Sequence, residues 1–339
     1  MTEVAAGIIL RSDGRILAAQ RGEGRKNAHL WEFPGGKREA GESFVQCLQR
    51  ELLEELSLPV TDVREVCERE AQGIRFMFLT ARTDHEPVPT EHEAVRWLLP
   101  RELDALPFCP ADTSVAHALA WRDPPVRSFF WDFDGTLMDT YPMITACLRG
   151  GCADLDLPVP EEAETLTLLK RELAYAVTCL AERQGIDPRA LRQAYDRRAA
   201  AADLSLCVPI EGIPQTLRTL AERGGRHYLV THRDRASACA MLERYGLLAL
   251  FSGMVTSDDG FPRKPAPDSC LHLLGRYGIE PRAAVMIGDR PLDIAAGQGA
   301  GMRTCLLDTE GRFAEVACDA RAASAQELTA LLWPEEIEI

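Results

Sequence analysis

Acidic side chains recur at two places in this chain with spacings that suit divalent-cation and phosphate chemistry. The first place reads Gly36-x5-Glu42-x7-Arg50-Glu51-Leu52-x-Glu54-Glu55. Glu51, Glu54 and Glu55 stand at i, i+3 and i+4, so on a helix they share one face. Like charges this close repel unless a cation lies among them, and Arg50 offsets only part of the charge. Hard divalent cations prefer such oxygen ligands, and one held there could bridge a pyrophosphate and activate water. A solvated acidic helix face is the plain alternative. The turn Pro34-Gly35-Gly36, with Glu42 and Arg50 at fixed offsets, favours the chemical reading.

The second place opens with the apolar run Phe129-Phe130-Trp131, followed by Asp132-Phe133-Asp134-Gly135-Thr136. A strand there delivers Asp132 to its C-terminal end, where ligands bind in open α/β sheets. Gly135 permits a bend that lets Asp132 and Asp134 address one substrate. Downstream, Gly288-Asp289-Arg290-Pro291-Leu292-Asp293 follows Val285-Met286-Ile287, and Thr231 ends the run His227–Val230. Lys264 lies in the proline-flanked loop Pro262-Arg263-Lys264-Pro265. An isolated Asp-x-Asp-Gly is more often only a turn. Hydroxyl, ammonium and carboxylates in this order favour a site.

The elements needed to position these residues fall into two sets. At 339 residues the chain fits two domains, and 46% hydrophobic content supplies two cores. The adjacent prolines of Trp121-Arg122-Asp123-Pro124-Pro125-Val126-Arg127 mark the boundary. We read residues 1–121 as the first domain, 122–127 as the linker and 128–339 as the second. Strand-like segments at Ala5–Leu10, Ile74–Ala81 and Ala94–Leu98 surround one strong helix at Ser43–Leu56, with Ser43 as its cap. Its Phe44, Leu48, Leu52 and Leu56 form the core-facing side. In the second domain, Ser128–Trp131, His227–Thr231, Met254–Thr256, Ala284–Ile287 and Thr304–Leu307 alternate with helical segments. That alternation predicts a parallel sheet covered by helices. From Asp139 to about Cys207 the sequence is helix-rich without strand signal, a helical insertion that lids the site.

Composition narrows the function. Net charge is −14 with no basic run, which argues against a nucleic-acid polymer as partner. No apolar run reaches membrane length, and the N-terminal segment lacks signal-peptide features. The eleven cysteines are scattered without metal-site spacing, so reduced thiols and a cytoplasmic location are expected.

The first constellation resembles the Nudix box, in a MutT-like context, Leu30-Trp31-Glu32-Phe33-Pro34-Gly35-Gly36-Lys37. That resemblance implies an α/β/α sandwich with a mixed sheet. It also implies Mg²⁺ held by Glu51, Glu54, Glu55 and the Gly35 carbonyl, with Arg50 orienting a carboxylate and Arg21 meeting a substrate phosphate. Glu91 or Glu93 would supply a further metal-binding or base carboxylate. Ser57 departs from the glycine usual after the Glu-Glu pair. Leu106 to Asp112 resembles the stretch that contacts the base in MutT-like enzymes, where Asp112 suits cytidine-type or broader specificity. Capping of the following helix is an equal reading of Asp112.

The second constellation resembles the haloacid-dehalogenase-like (HAD) phosphatases, with a Rossmann-like parallel sheet and the helical cap of their phosphoglycolate-phosphatase-like branch. By resemblance, Asp132 is the nucleophile and Asp134 the acid/base. Thr231 and Lys264 bind the phosphoryl group. Asp132, the Asp134 carbonyl and Asp289 hold Mg²⁺, with Asp293 close behind. His232 and Arg290 depart from the usual pattern. His232 could contact substrate or serve as a structural, hydrogen-bonded histidine. Lys170 and Arg171 in the insertion could read the substrate, or lie on a solvated helix face.

The expectation is a bifunctional phosphohydrolase that uses Mg²⁺, with Mn²⁺ as an alternative. Its first domain would convert nucleoside triphosphates, oxidised or cytidine type, to monophosphate and pyrophosphate. Its second would dephosphorylate a small phosphomonoester. Two independent activities, or a first domain that senses a ligand for the phosphatase, are the alternatives. Partners are small molecules, and self-association is left open.

Overall fold

The computed structural model describes residues 1–334 and Ile337. Two compact units emerge. One is Met1–Pro125, joined by the described C-terminal residues Trp333, Pro334 and Ile337; the other is Val126–Leu332.

The first unit begins with strands β1 (Thr2–Leu10), β2 (Ile16–Arg21), β3 (Trp31–Glu32) and β4 (Gly35–Lys37). Helix α1 (Phe44–Leu56), strands β5 (Thr61–Ala71), β6 (Ile74–Arg82) and β7 (His92–Leu98) and helix α2 (Pro110–Trp121) complete it. The mixed sheet runs β3-β2-β1-β6-β5, with β4 also on β1 and β7 also on β2. β1 and β6 are parallel, from Thr2 opposite Ile74 to Leu10 opposite Arg82. The charged stretch 61–71 carries no clear strand signal in the sequence. β5 forms there at the sheet edge, where one face is solvated and its Glu and Arg residues are tolerated.

The carboxylate face of α1 follows from how the helix is anchored. Ser43 Oγ accepts from the Gln46 N–H at 3.2 Å, and Gln46 Oε1 accepts from the Ser43 N–H at 2.9 Å. Such a cap contributes about 1 kcal/mol. Cys47, Leu48, Leu52 and Leu56 are buried against Ala5, Ile9, Leu17 and Leu79. Burying that side leaves the glutamates on the other. Ser57 ends the helix at φ 50° and ψ 35°, the left-handed conformation that favours glycine.

The second unit starts with β8 (Ser128–Trp131) and the short β9 (Met138–Asp139), then helices α3 (Tyr141–Asp154), α4 (Glu162–Leu169), α5 (Leu173–Arg183) and α6 (Pro188–Ala200). β10 (Val208–Pro209) pairs antiparallel with β9, so the helical excursion leaves and returns at one place. Its helices share their own apolar core, which includes Leu148, Leu169, Val177, Leu180 and Leu191. The chain then runs through α7 (Ile213–Glu222), β11 (Arg226–Val230), α8 (Arg235–Arg244), β12 (Phe251–Val255), α9 (Asp268–Tyr277) and β13 (Ala284–Gly288). It closes with α10 (Pro291–Gly299), β14 (Arg303–Leu307), β15 (Ala320–Ala322) and α11 (Ala325–Leu332).

These strands form a sheet ordered β12-β11-β8-β13-β14-β15, with every pairing parallel. β8 is interior, and Trp131 lies opposite both Leu229 and Ile287. The residues just beyond those strands are Asp132, Thr231 and Asp289, so the register alone gathers them at the C-terminal end of the sheet. Phe129, Phe130 and Trp131 are fully buried, as an interior parallel strand requires. Trp131 Nε1 donates to His227 Nδ1 at 3.0 Å, which leaves His227 Nε2 to donate to the Leu217 carbonyl at 2.9 Å. Burial pushes the His227 pKa down to about 4, consistent with this neutral ring.

Both units are α/β, as expected. Among the described residues no helix is long and apolar enough to cross a membrane.

Candidate active sites

In the first unit Arg50 organises the carboxylates. Its Nε donates to Glu42 Oε1 at 2.9 Å and its Nη2 to Glu42 Oε2 at 3.1 Å. Its Nη1 donates to Glu51 at 2.8 Å and to Glu54 at 3.2 Å. The hydrogen bond from Arg50 holds the Glu42 carboxyl down at about 2. Gly36 faces the Glu51 carboxylate so closely that any side chain would collide with it. The glycine turn therefore lets backbone and acid meet at one point.

A cavity of about 390 Å³ opens beside this turn, lined by Gly35, Gly36, Glu51, Glu55, Arg21 and Asp112 among others. Glu54 is the most exposed of the three helix acids, at 60%, against 13% for Glu51 and 16% for Glu55. Burial pushes the Glu55 carboxyl up to about 7, with His92 opposing and Glu51 adding to the rise. Oxygen ligands on one helix face suit a hard divalent cation, but among the described residues only Asp132, Asp289 and Asp293 come within 4.8 Å of one another, so these three glutamates share a face without closing on one point.

The remaining first-unit candidates separate. Arg21 lines the cavity, pairs with Glu32 and donates from Nε to the Lys26 carbonyl at 2.8 Å. Glu91 pairs with Arg25, and Glu93 accepts at 2.7 Å from His29 if that ring is protonated at Nδ1. Both lie about half exposed, and between them His92 points inward, with Nε2 at 3.4 Å from Glu32 and 3.8 Å from Glu55. The two-residue period of β7 decides this, and only the strand phase, which the sequence leaves open, would have marked His92. Asp112 does not cap α2, which has Cys109 at its N-cap and Pro110 at its start. Its Oδ1 instead accepts from the Phe33 N–H at 3.0 Å, and burial pushes its pKa up to about 8.

In the second unit the gathered residues form a buried ionic cluster. Lys264 Nζ lies 2.6 Å from Asp132 Oδ1 and 2.6 Å from Asp293 Oδ1. Arg290 Nη2 donates to Asp132 Oδ2 at 3.1 Å. Burial by itself would raise the Asp132 pKa, but Lys264 and Arg290 outweigh it and hold the carboxyl below its ordinary range. Burial and the Asp132 charge push Asp293 the other way, to about 6. Oxygens of Asp132, Asp289 and Asp293 lie within 4.8 Å of one another, all buried, with the Lys264 ammonium 2.6 Å from Asp293 Oδ1. Three buried carboxylates gathered this closely offer the oxygen donors that a hard divalent cation takes.

Gly135 at φ 83° turns the chain after Asp134, and a side chain there would strike Tyr141 and Asp289. Asp134 Oδ1 accepts from Thr140 at 2.6 Å and from Arg233 Nε at 3.0 Å. Thr231 is buried, and its hydroxyl accepts from the Arg233 N–H at 3.1 Å. His232 Nε2 accepts from the Lys264 N–H at 2.8 Å, and burial pushes its pKa down to about 3. This hydrogen bond pins the Lys264 loop, and the ring also lines the adjoining cavity. Beside the cluster, a cavity of about 750 Å³ is lined by Asp134, His232, Arg233 and Arg290, and by Met143, Ile144, Leu173 and Tyr195 of the insertion.

Fold and sites together define a fusion of two hydrolases. The chain belongs to the haloacid dehalogenase-like hydrolases, whose family matches residues 129–307, and carries a NUDIX domain over residues 1–119. It is similar to CTP pyrophosphohydrolase of Escherichia coli (strain K12), 43% identical over 126 residues, which are 35% of this chain and 90% of that protein. It is similar to phosphoglycolate phosphatase of Shigella boydii, 29% identical over 198 residues, 52% of this chain and 79% of that protein. A haloacid dehalogenase-like family hydrolase from Streptococcus pneumoniae shares the fold, with a TM-score of 0.53 at 22% identity over 60% of this chain and 97% of that one.

Proposed function

We propose that the chain hydrolyses a nucleoside triphosphate to monophosphate and pyrophosphate in its first domain, and a phosphomonoester in its second. Convergence of Asp132, Lys264, Arg290 and Asp293 at the C-terminal end of β8 carries the second half of this reading. Asp132 is ionised and flanked by cations, as a carboxylate attacking a phosphate dianion needs. It forms an aspartyl-phosphate as the leaving oxygen takes a proton from Asp134. Asp134 then accepts a proton from the water that cleaves the acyl-phosphate. Thr231 and Lys264 bind the phosphoryl oxygens. Asp132, the Asp134 carbonyl, Asp289 and Asp293 would hold Mg²⁺, or Mn²⁺, which supplies charge neutralisation for the phosphoryl group when bound.

In the first domain Glu51, Glu54, Glu55 and the Gly35 carbonyl would hold the same ion, with Arg50 setting the geometry of the glutamates. Arg21 meets the phosphate chain, and Glu91 or Glu93 serves only if its ion pair opens. Cytidine is the favoured base. A protonated Asp112 offers one donor and one acceptor, complementary to the N3 acceptor and amino donor of cytosine. The similarity to a CTP pyrophosphohydrolase supports this choice.

The 750 Å³ cavity, half walled by apolar side chains, is large enough to admit a nucleoside as leaving group, which supports use of the first domain's product by the second. The similarity to phosphoglycolate phosphatases favours a second reading, two independent activities. Steady-state hydrolysis of CMP and of phosphoglycolate by the full chain separates them. Faster turnover of CMP supports the sequence of two steps, and turnover of phosphoglycolate alone contradicts it.

A further inference from the structure

Lys170 directly follows α4 in the helical insertion, yet its ammonium lies 2.7 Å from Asp289 Oδ2. Its side chain is only 15% exposed, and Nζ sits 4.0 Å over the ring of Tyr141. Tyr141 donates its hydroxyl to the same Asp289 oxygen at 3.1 Å. One carboxylate oxygen thus takes two donors from the insertion. The neighbouring Arg171 behaves differently: it stacks 4.9 Å over Tyr175 and donates to that hydroxyl at 2.7 Å. Of the pair, Lys170 is the part-buried, site-directed cation and Arg171 the exposed one.

A divalent cation held by Asp132, Asp289 and Asp293 draws on the lone pairs of Asp289 and is repelled by an ammonium so near. We propose that Lys170 competes with the divalent cation for Asp289, so that seating of the helical insertion and cation binding oppose each other. The inference rests on the cation site proposed above. Linkage makes the effect reciprocal: the cation weakens the hold of Lys170, and Lys170 weakens the hold on the cation. A phosphate dianion entering with the cation gives the displaced ammonium a new partner. Lys170 is therefore a positioning residue, tying the insertion to the site until cation and phosphate arrive together.

Manganese binding to the full chain tests this directly, read by the loss of the free Mn²⁺ paramagnetic signal. Glu51→Gln, Glu54→Gln and Glu55→Gln in the parent chain remove the first domain's contribution. Asp289→Asn in that background must abolish the remaining binding; binding that survives it overturns the cation site and the inference with it. Lys170→Met is expected to tighten Mn²⁺ binding roughly ten-fold, an ordinary size for coupling between two ligands. Lys170→Arg, which keeps charge and reach, should stay near the parent. Arg171→Met, which loses a charge without the contact, should shift affinity by less than about two-fold because exposed charges are screened. Equal affinity in the parent and Lys170→Met overturns the competition, as does equal tightening by Arg171→Met.

Discussion

The Lys264 ammonium lies 2.6 Å from Oδ1 of Asp132, a residue 132 positions earlier in the chain. Both side chains are buried, so each charge is tolerable only because the other is present. Lys264→Met would leave Asp132 with Arg290 alone and Asp293 without its nearest cation. We expect the unfolding free energy of the second domain to fall by about 3–5 kcal/mol, the usual loss when one partner of a buried pair is removed. Urea denaturation of the full chain, followed by hydrogen exchange of the β8 amides against the intact protein, measures this. A loss under about 1 kcal/mol would show that the pair is solvated in solution.

Arg50 contacts Glu42 through two nitrogens and Glu51 through a third. Lysine cannot reproduce that fork. Arg50→Lys should lower kcat/KM for triphosphate hydrolysis by roughly a hundred-fold, as misplacement of metal-binding acids does. Hydrolysis of a phosphomonoester by the same sample should not change. Equal losses in both reactions would point to a folding defect instead.

Asp112 links stability to pH. Burial raises its folded pKa from 3.8 to about 8, so between these values the folded protein holds a proton that the unfolded chain has lost. Its contribution to stability is full below the lower value and declines as pH rises through the window. Asp112→Asn removes the titration and keeps an acceptor for the Phe33 N–H. Stability of the wild type minus that of the variant should fall by up to about 1.4 kcal/mol per pH unit between about pH 5 and pH 7. Denaturant midpoints across that range supply the measurement, and a flat difference contradicts the buried, protonated state.

Ser57 holds a left-handed conformation at the end of α1. Ser57→Gly should relieve it and stabilise the first domain by up to about 1 kcal/mol, less the added freedom of the unfolded chain. A thermal midpoint unchanged or lowered would count against strain at this cap.

Much of both sites was legible because local spacing carries them. The i, i+3, i+4 glutamates need only a helix, and Asp132, Thr231 and Asp289 need only strands that end at one edge of a parallel sheet. The alternation of apolar runs and helices gave that sheet. What local spacing does not carry was missed. β5 is an edge strand whose alternating charges mask its pairing with β6. His92 points inward where Glu91 and Glu93 were favoured, because strand phase was not resolved at that loop exit. Asp112 satisfies the Phe33 N–H across 79 positions instead of capping its own helix. Lys170 reaches Asp289 across 119 positions, and no pattern in the insertion distinguishes it from Arg171.

If both domains act in turn on one nucleotide, as proposed, the products of CTP reveal it. Product analysis of CTP incubated with the full chain and Mg²⁺ tests it, with Asp132→Asn alongside. Pyrophosphate is expected from both proteins, cytidine and phosphate from the wild type, and CMP that accumulates in the variant. CMP accumulating equally in both would contradict the coupled pathway, and no pyrophosphate from either would contradict the reading of the first domain.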